Sequence, residues 1–418
     1  MLSNIMCRRI KMPKYETISY KELNSGKIKP SLPINWRNGS SVISKTIMPK
    51  ELTGTKANII VLSPDNFPTG SSYDGTAYFN LRYMIEHKKL KNNTVEVCAL
   101  DSAIVSYAWA SSVLGIKCII RVPQMTYPYW LKKAGDFGAK IEFEGTKLLD
   151  VTRIIDSNRK KENFLSEFTS PISYTYHSNV TGSVISKAVE DIGNNKVVIL
   201  AFPASSGGIT GAAAAVKKNF PYSKTIVVEP DECSTFYNNK RGIHRLYGSG
   251  YGFIPYIHNL MATDYVMVAE QDEVSRTLKC MEDFSNKIAT DFNIDTRTSK
   301  KISRKFGLST VACIISAINL AQQLHLGPED NVVILGEDTA NPYKEAIKLE
   351  LIEDMDVKTI IEDAFIKSKF RPIIDVTGQR QRERLFKKKN DFWIRRNINE
   401  SVLENMKKKE FWDRLPVF

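Results

Sequence analysis

Residues 66–77, N-F-P-T-G-S-S-Y-D-G-T-A, hold the densest set of groups that could do chemistry. Pro68, Gly70, Ser71 and Ser72 dictate a tight turn, and the free amides of such a turn converge with those of a following helix N-terminus. That arrangement suits an anion or a polar ring substituent. A similar Gly/Ser loop also serves as a plain connection in many α/β proteins. Other reactive types are dispersed. The five histidines, His87, His177, His244, His258 and His325, lack metal spacing, no Ser-His-Asp order stands out, and no metal site is expected. None of the six cysteines forms a C-x-x-C; Cys98 and Cys118 sit in apolar runs and read as buried, reduced thiols.

The loop needs a strand before it and a helix after it, and the pattern supplies both. Residues 59–62, I-I-V-L, read as a buried strand, and residues 76–89 carry a mostly helical apolar pattern. Further strands are expected at 95–100, 117–122, 140–143, 197–202, 225–228 and 331–335. Helices are expected at 102–114, 127–137, 184–192, 209–218 and 310–324. Short apolar strands alternating with helices mean parallel sheets covered on both faces. Two such runs predict an α/β protein with two α/β units, mainly parallel sheets and a cleft between them. The expected divisions are a basic extension at 1–40, a smaller α/β domain at 41–178, a larger one at 179–345 and a helical basic extension at 346–418.

The chain has 418 residues and a formal charge of +13, and the charge sits at its ends. Residues 1–58 hold eleven Lys/Arg against three Asp/Glu, residues 378–418 hold twelve against six, and the body between is close to neutral. Basic ends can bind nucleic acid, anionic lipid or an acidic partner. Charge runs are more often simply solvated, and a nucleic-acid role is not expected. The interleaved basic and aromatic residues of the tail, with Phe392, Trp393, Phe411 and Trp412, are read as packing on the body or on a partner subunit. With no secretory pattern and no apolar stretch fit to span a bilayer, a cytoplasmic protein without a membrane role is expected.

The loop at 66–77 resembles that of the cysteine synthase and cystathionine β-synthase group of fold-type-II pyridoxal phosphate (PLP) enzymes, N-P-T-G-S-F-K-D-R-G-A. Pro68, Thr69, Gly70, Ser71, Asp74 and Ala77 match it. Segments at 114–120, 138–141, 180–182, 228–230 and 244–255 resemble family segments in the family's order. The resemblance implies a tryptophan synthase β-like fold over roughly 45–345. It also implies that the lysine which holds the cofactor as an imine falls on Tyr73, and the family's arginine on Gly75. A phenol forms no imine, and Tyr73 is expected to fill the lysine's slot rather than to act as a catalyst; a phenol acting as an acid is the other reading. The family's phosphate turn, G-T-G-G-T, falls on Pro203-Ala204-Ser205-Ser206-Gly207-Gly208, either an anion cradle built from Ser205, Ser206, Gly207 and Gly208 or an ordinary Gly-rich turn. The carboxylate loop falls on residues 99–104 and keeps none of its motif. Ser102 takes the place of a ring-hydroxyl partner, though Asp101 or Ser102 capping the next helix is the favoured reading. Thr339 falls where a hydroxyl meets the ring nitrogen, or caps a turn.

These losses imply a catalytically degenerate, cysteine synthase-like pseudoenzyme acting as a binding, regulatory or partner subunit. The alternative is a PLP enzyme of amino-acid β-replacement or elimination that works without the lysine. PLP is held in doubt as the cofactor, and noncovalent where it binds. The expected partners are a small or phosphorylated ligand in the cleft and, from the resemblance, a second copy or an active relative.

Overall fold

The computed structural model describes residues 43–193, 196–348, 350–367 and 371–416; the basic extension read at 1–40 lies outside them. Among these residues, eleven strands form two sheets: β1 (Ser44–Ile47), β2 (Asn58–Ser63), β3 (Thr94–Cys98), β4 (Lys117–Val122), β5 (Lys140–Phe143), β6 (Phe164–Ser166), β7 (Ile199–Pro203), β8 (Lys224–Pro230), β9 (Tyr265–Ala269), β10 (Asn331–Leu335) and β11 (Ile373–Asp375). The larger sheet runs β1-β2-β10-β7-β8-β9-β11 and the smaller runs β5-β4-β3-β6. All pairings are parallel except the two edges of the larger sheet, β1 with β2 and β11 with β9. The expected pair of α/β units around a cleft is therefore what the chain builds.

The reason lies in the apolar runs. Every residue of β7 and β10 is buried, as a strand covered on both faces requires. Five helices matter here: α1 (Tyr73–Glu86), α2 (Ser102–Leu114), α3 (Thr210–Asn219), α4 (Leu308–Gln323) and α5 (Gln379–Ile394). Both α2 and α4 are apolar nearly all round and buried along almost their whole length, between sheet and neighbouring helices. The crevice at the carboxyl ends of parallel strands is where α/β sheets place ligands. Four connections meet there, those following β2, β3, β7 and β10.

The basic tail packs on the body. Trp393 and Trp412 are buried, and their indole N–H groups donate to the carbonyls of Ile254 and Met406 at 2.9 and 2.8 Å. Removing such a ring usually costs about 3–5 kcal/mol, so the tail is part of the folded unit. Three of its cations bind backbone carbonyls of the body: Arg382 donates to Leu260 O at 2.6 Å, Arg384 to Phe236 O at 3.0 Å and Lys388 to Thr235 O at 2.6 Å. Cys98 and Cys118 are free, buried thiols, as expected. Among the described residues, no helix is long and apolar enough to cross a membrane.

Candidate functional site

The loop between β2 and α1 is pinned from three sides. Ser72 N donates to Glu337 O at 2.7 Å, and Ser71 pairs with Asp338, which ties the loop to the end of β10. The Ser71 hydroxyl donates to Ser102 Oγ at 3.0 Å, at the start of α2. Gly70, at φ 75°, lets the loop lie against Thr339, whose Oγ1 would stand 3.2 Å from a Cβ at that position. Within the loop, Asp74 accepts from the Thr69 amide and hydroxyl at 2.7 and 2.6 Å. Tyr73 then opens α1 with its side chain buried, its hydroxyl 3.2 Å from Ser206 Oγ and 3.3 Å from Glu337 Oε1. The phenol's one proton lies between two acceptors, the serine hydroxyl and the carboxyl. One loop thus brings Tyr73, Ser102, Ser206 and Thr339 together.

The turn after β7 faces that phenol. Ser205 and Ser206 are buried, and Gly207 at φ 96° takes a left-handed conformation that only glycine adopts without strain. A Cβ on Gly207 would meet His258 N at 2.9 Å, and one on Gly208 would meet Ser173 Cβ at 2.8 Å, so both positions need a bare backbone. The amides of residues 206–209 find no hydrogen-bond partner among the described residues. Buried amides are almost always paired, and four in succession, ending at the N-terminus of α3, make a cradle for phosphate oxygens. The residues present therefore fit the phosphate of PLP.

The expected cap on α2 is not formed. Asp101 occupies the N-cap position at φ 50° and makes no side-chain cap bond, and Ser102 is the first helical residue. The Asp101 carboxylate turns instead across the cleft, where Oδ2 accepts from the Gly248 amide and the Tyr251 hydroxyl, each at 2.9 Å. A contact made between units outweighs a cap worth about 1 kcal/mol.

Asp101, Glu167, Glu337 and Asp338 are buried carboxyls whose charges act on one another. Burial pushes Asp101, Glu167 and Glu337 up from the usual carboxylate range, and Asp338 up to about 7. Each is raised further by at least one of the others, except Asp101, which the nearby His244 pulls down. Burial first, then Glu337 and Glu167, hold Tyr73 well above an ordinary phenol. Burial thus favours the neutral, proton-bearing form of these acids over the carboxylate, and a neutral acid can donate as well as accept. Glu167 and Glu337 were not singled out from sequence, and Tyr251 and Tyr343 belong with them. The only signal was the G-E-D-T string at 336–339, in which Thr339 alone was weighed.

Gly75, on the first turn of α1, has lost the room for a side chain. A Cβ there would lie 2.0 Å from Tyr176 Oη, and Tyr176 is buried against Phe79 with ring centroids 5.2 Å apart. Gly75→Arg, the residue the family resemblance implies, is expected to cost about 3 kcal/mol in a denaturant titration, with Gly75→Ala losing most of that, because the first carbon makes the clash. A variant as stable as the parent would show that Tyr176 moves aside freely.

The family described as "Pyridoxal-phosphate dependent enzyme" matches residues 51–283 of this chain. Among curated relatives, "Probable cysteine synthase" of Bacillus subtilis is 24% identical over 287 residues, 66% of this chain and 85% of the relative. Cysteine synthase B of Campylobacter jejuni is 23% identical over 282 residues, 66% of this chain and 86% of its own. The crystal structure of cysteine synthase from Entamoeba histolytica superposes with a TM-score of 0.65 at 17% identity, covering 82% of this chain and 99% of that one, a likeness of fold. These matches overturn the doubt placed on PLP. The family match supports it as the cofactor, and the unpartnered amides at 206–209 agree.

Proposed function

The chain belongs to the pyridoxal-phosphate dependent enzyme family, and from that premise we propose that it is a cysteine synthase-like member in which Tyr73 stands at the place of the cofactor-bonding lysine. It binds PLP without a covalent bond to residue 73 and serves as a binding, regulatory or partner subunit. Its partner is a second copy or an active relative. The observation that carries this reading is the buried Tyr73 phenol, which ends between Ser206 and Glu337 and offers no amine.

Bound PLP supplies an electron sink for chemistry at an amino acid's α-carbon. The 206–209 amides and the Ser205 and Ser206 hydroxyls hold the phosphate, and the Thr339 hydroxyl stands for the ring nitrogen. Ser102, already joined to Ser71, orients the ring's hydroxyl side. Tyr73 keeps its proton at neutral pH, so it neither attacks an aldehyde nor draws off an α-proton. A second reading, β-replacement or elimination without the lysine, is favoured by Asp338, whose carboxyl near 7 suits proton transfer at neutral pH.

The test incubates the purified full chain with PLP, then applies gel filtration, borohydride and peptide mass analysis. Retained cofactor with no adduct on any peptide is the expected result. An adduct on a lysine overturns the subunit reading, and a chain that retains no cofactor overturns the binding reading. Turnover of a β-substituted alanine by the retained complex would establish the second reading instead.

A further inference from the structure

We propose that Lys389, in the basic tail, is a positioning residue for the phosphate cradle, acting on the Gly208 amide through a relay of hydrogen bonds that crosses the His258–Asn259 peptide group and Thr210. The inference rests on the proposed phosphate site at residues 206–209 and adds a residue outside the cleft that sets its strength.

The relay begins at an amine in an unusual place. Lys389 lies on α5 and is 1% exposed, and burial alone pushes its ammonium down to about 7. Its Nζ donates to His258 O at 2.8 Å, lies 3.9 Å from Met406 Sδ and stands 5.7 Å from the centroid of the Trp412 ring. None of these neighbours is a carboxylate. An apolar side chain would fill this space at a lower cost in free energy, because a buried amine without a counter-charge gives up its hydration. What Lys389 gains is one strong bond, to a backbone carbonyl.

That carbonyl belongs to a peptide group held on both sides. Across the same peptide bond, Asn259 N donates to Thr210 Oγ1 at 3.0 Å. Thr210 opens α3, and its single hydroxyl proton goes to Gly207 O at 2.6 Å. Gly207 O shares its peptide group with the Gly208 amide, one of the unpartnered donors of the cradle. Lys389, the 258–259 peptide, Thr210 and the 207–208 peptide thus form one line in which every donor points the same way. Each bond in such a line polarises the next, so the last N–H, that of Gly208, is the better donor to an anion.

The same stretch also bears on the cradle directly. A Cβ on Gly207 would meet His258 N at 2.9 Å, so a shift of residue 258 is felt at residue 207. One turn further along α5, Trp393 donates to Ile254 O at 2.9 Å and fixes the other end of the stretch.

The experiment titrates the full chain with PLP and with pyridoxal, which lacks the phosphate, following protein fluorescence. Lys389→Met keeps an unbranched side chain and removes the donor. It is expected to bind PLP about three- to tenfold more weakly than the parent, the range that one hydrogen bond spans, while its affinity for pyridoxal is unchanged. Thr210→Val is expected to show a similar loss, and the double variant to lose little more than Thr210→Val alone, because both substitutions cut one line. Should Lys389→Met fail to fold, Lys389→Leu, smaller and equally without a donor, reads the same end. Unchanged PLP affinity in a folded Lys389 variant overturns the inference and leaves the cofactor site standing. Equal losses for PLP and pyridoxal, or fully additive losses in the double variant, would make Lys389 a packing residue and overturn it as well. A parent chain that binds no PLP, or binds it no better than pyridoxal, overturns the phosphate site and the relay together.

Discussion

Tyr73→Lys gives a protein in which borohydride fixes PLP to the peptide containing residue 73, while the parent chain gives no adduct there. The change is from undetectable to a substantial fraction of the chains. Residue 73 is the first residue of α1 and already directs its side chain at the Ser206 end of the phosphate cradle. An amine of similar reach would arrive where the phenol now ends. Two influences then set how fast it reacts. Burial favours the neutral, nucleophilic amine, and Glu337 and Glu167, where ionised, favour the ammonium. The second slows the bond and does not prevent it, because a small neutral fraction is drained by reaction. The substitution gives up the phenol's packing, so about 1–3 kcal/mol of stability is lost, and a melting curve must accompany the mass measurement. β-Replacement activity is not expected to return. Gly75 still has no arginine, and residues 99–104 still lack the carboxylate motif. A folded Tyr73→Lys chain that binds PLP yet shows no adduct would sink the placement of residue 73 at the lysine's position.

Much of this frame was legible in the sequence, and the reasons differ between elements. β4, β5, β10 and α2 were read with their observed bounds, because each is an apolar run cut off by glycine or by charged residues. β6 and β11 are three residues each, F-L-S and I-I-D, too short to show a period. Both exist because a neighbouring strand offers a free edge, a tertiary cause that no local pattern carries. β9, Y-V-M-V-A, has no punctuation to separate a strand from a buried helix turn. The candidate site divides the same way. Tyr73, Ser206 and Thr339 were picked out by the resemblance of their turns to family motifs, and each of those turns follows an apolar strand. Glu167 and Glu337 were not, because a lone glutamate reads as a solvated surface group. Only the packing of Leu100 N on Glu167 Oε1, at 2.7 Å, and of Tyr73 on Glu337 shows them to be buried.

Asp338→Asn changes the pH dependence of stability, and the variant gains on its parent as pH rises from about 4 to 8. In the folded chain the Asp338 carboxyl is pushed up to about 7 from a reference of 3.8, chiefly by burial. Below the reference value both states are protonated, and the neutral acid's contribution is fully present. Between the two values the unfolded chain has released its proton while the folded chain still holds it, so each rise in pH favours unfolding. Above about 7 the folded state ionises as well, and the contribution is gone. Glu337 and Glu167 are raised in the same direction and steepen the parent's decline. Asparagine keeps an acceptor for the Tyr343 hydroxyl, which now donates to Asp338 Oδ2 at 2.5 Å, and it cannot ionise. Its amide hydrogens face the side where Oδ1 has no partner, so an offset of about 1–3 kcal/mol against the variant is expected at the acid end. The offset reports packing and the slope reports ionisation, which separates the two. Urea titrations of parent and variant at intervals from pH 4 to 8 should show the stability difference moving by a few kcal/mol in the variant's favour. Parallel profiles would mean that Asp338 is ionised in the folded chain throughout, and the view of the cleft as a store of neutral acids would fall with it.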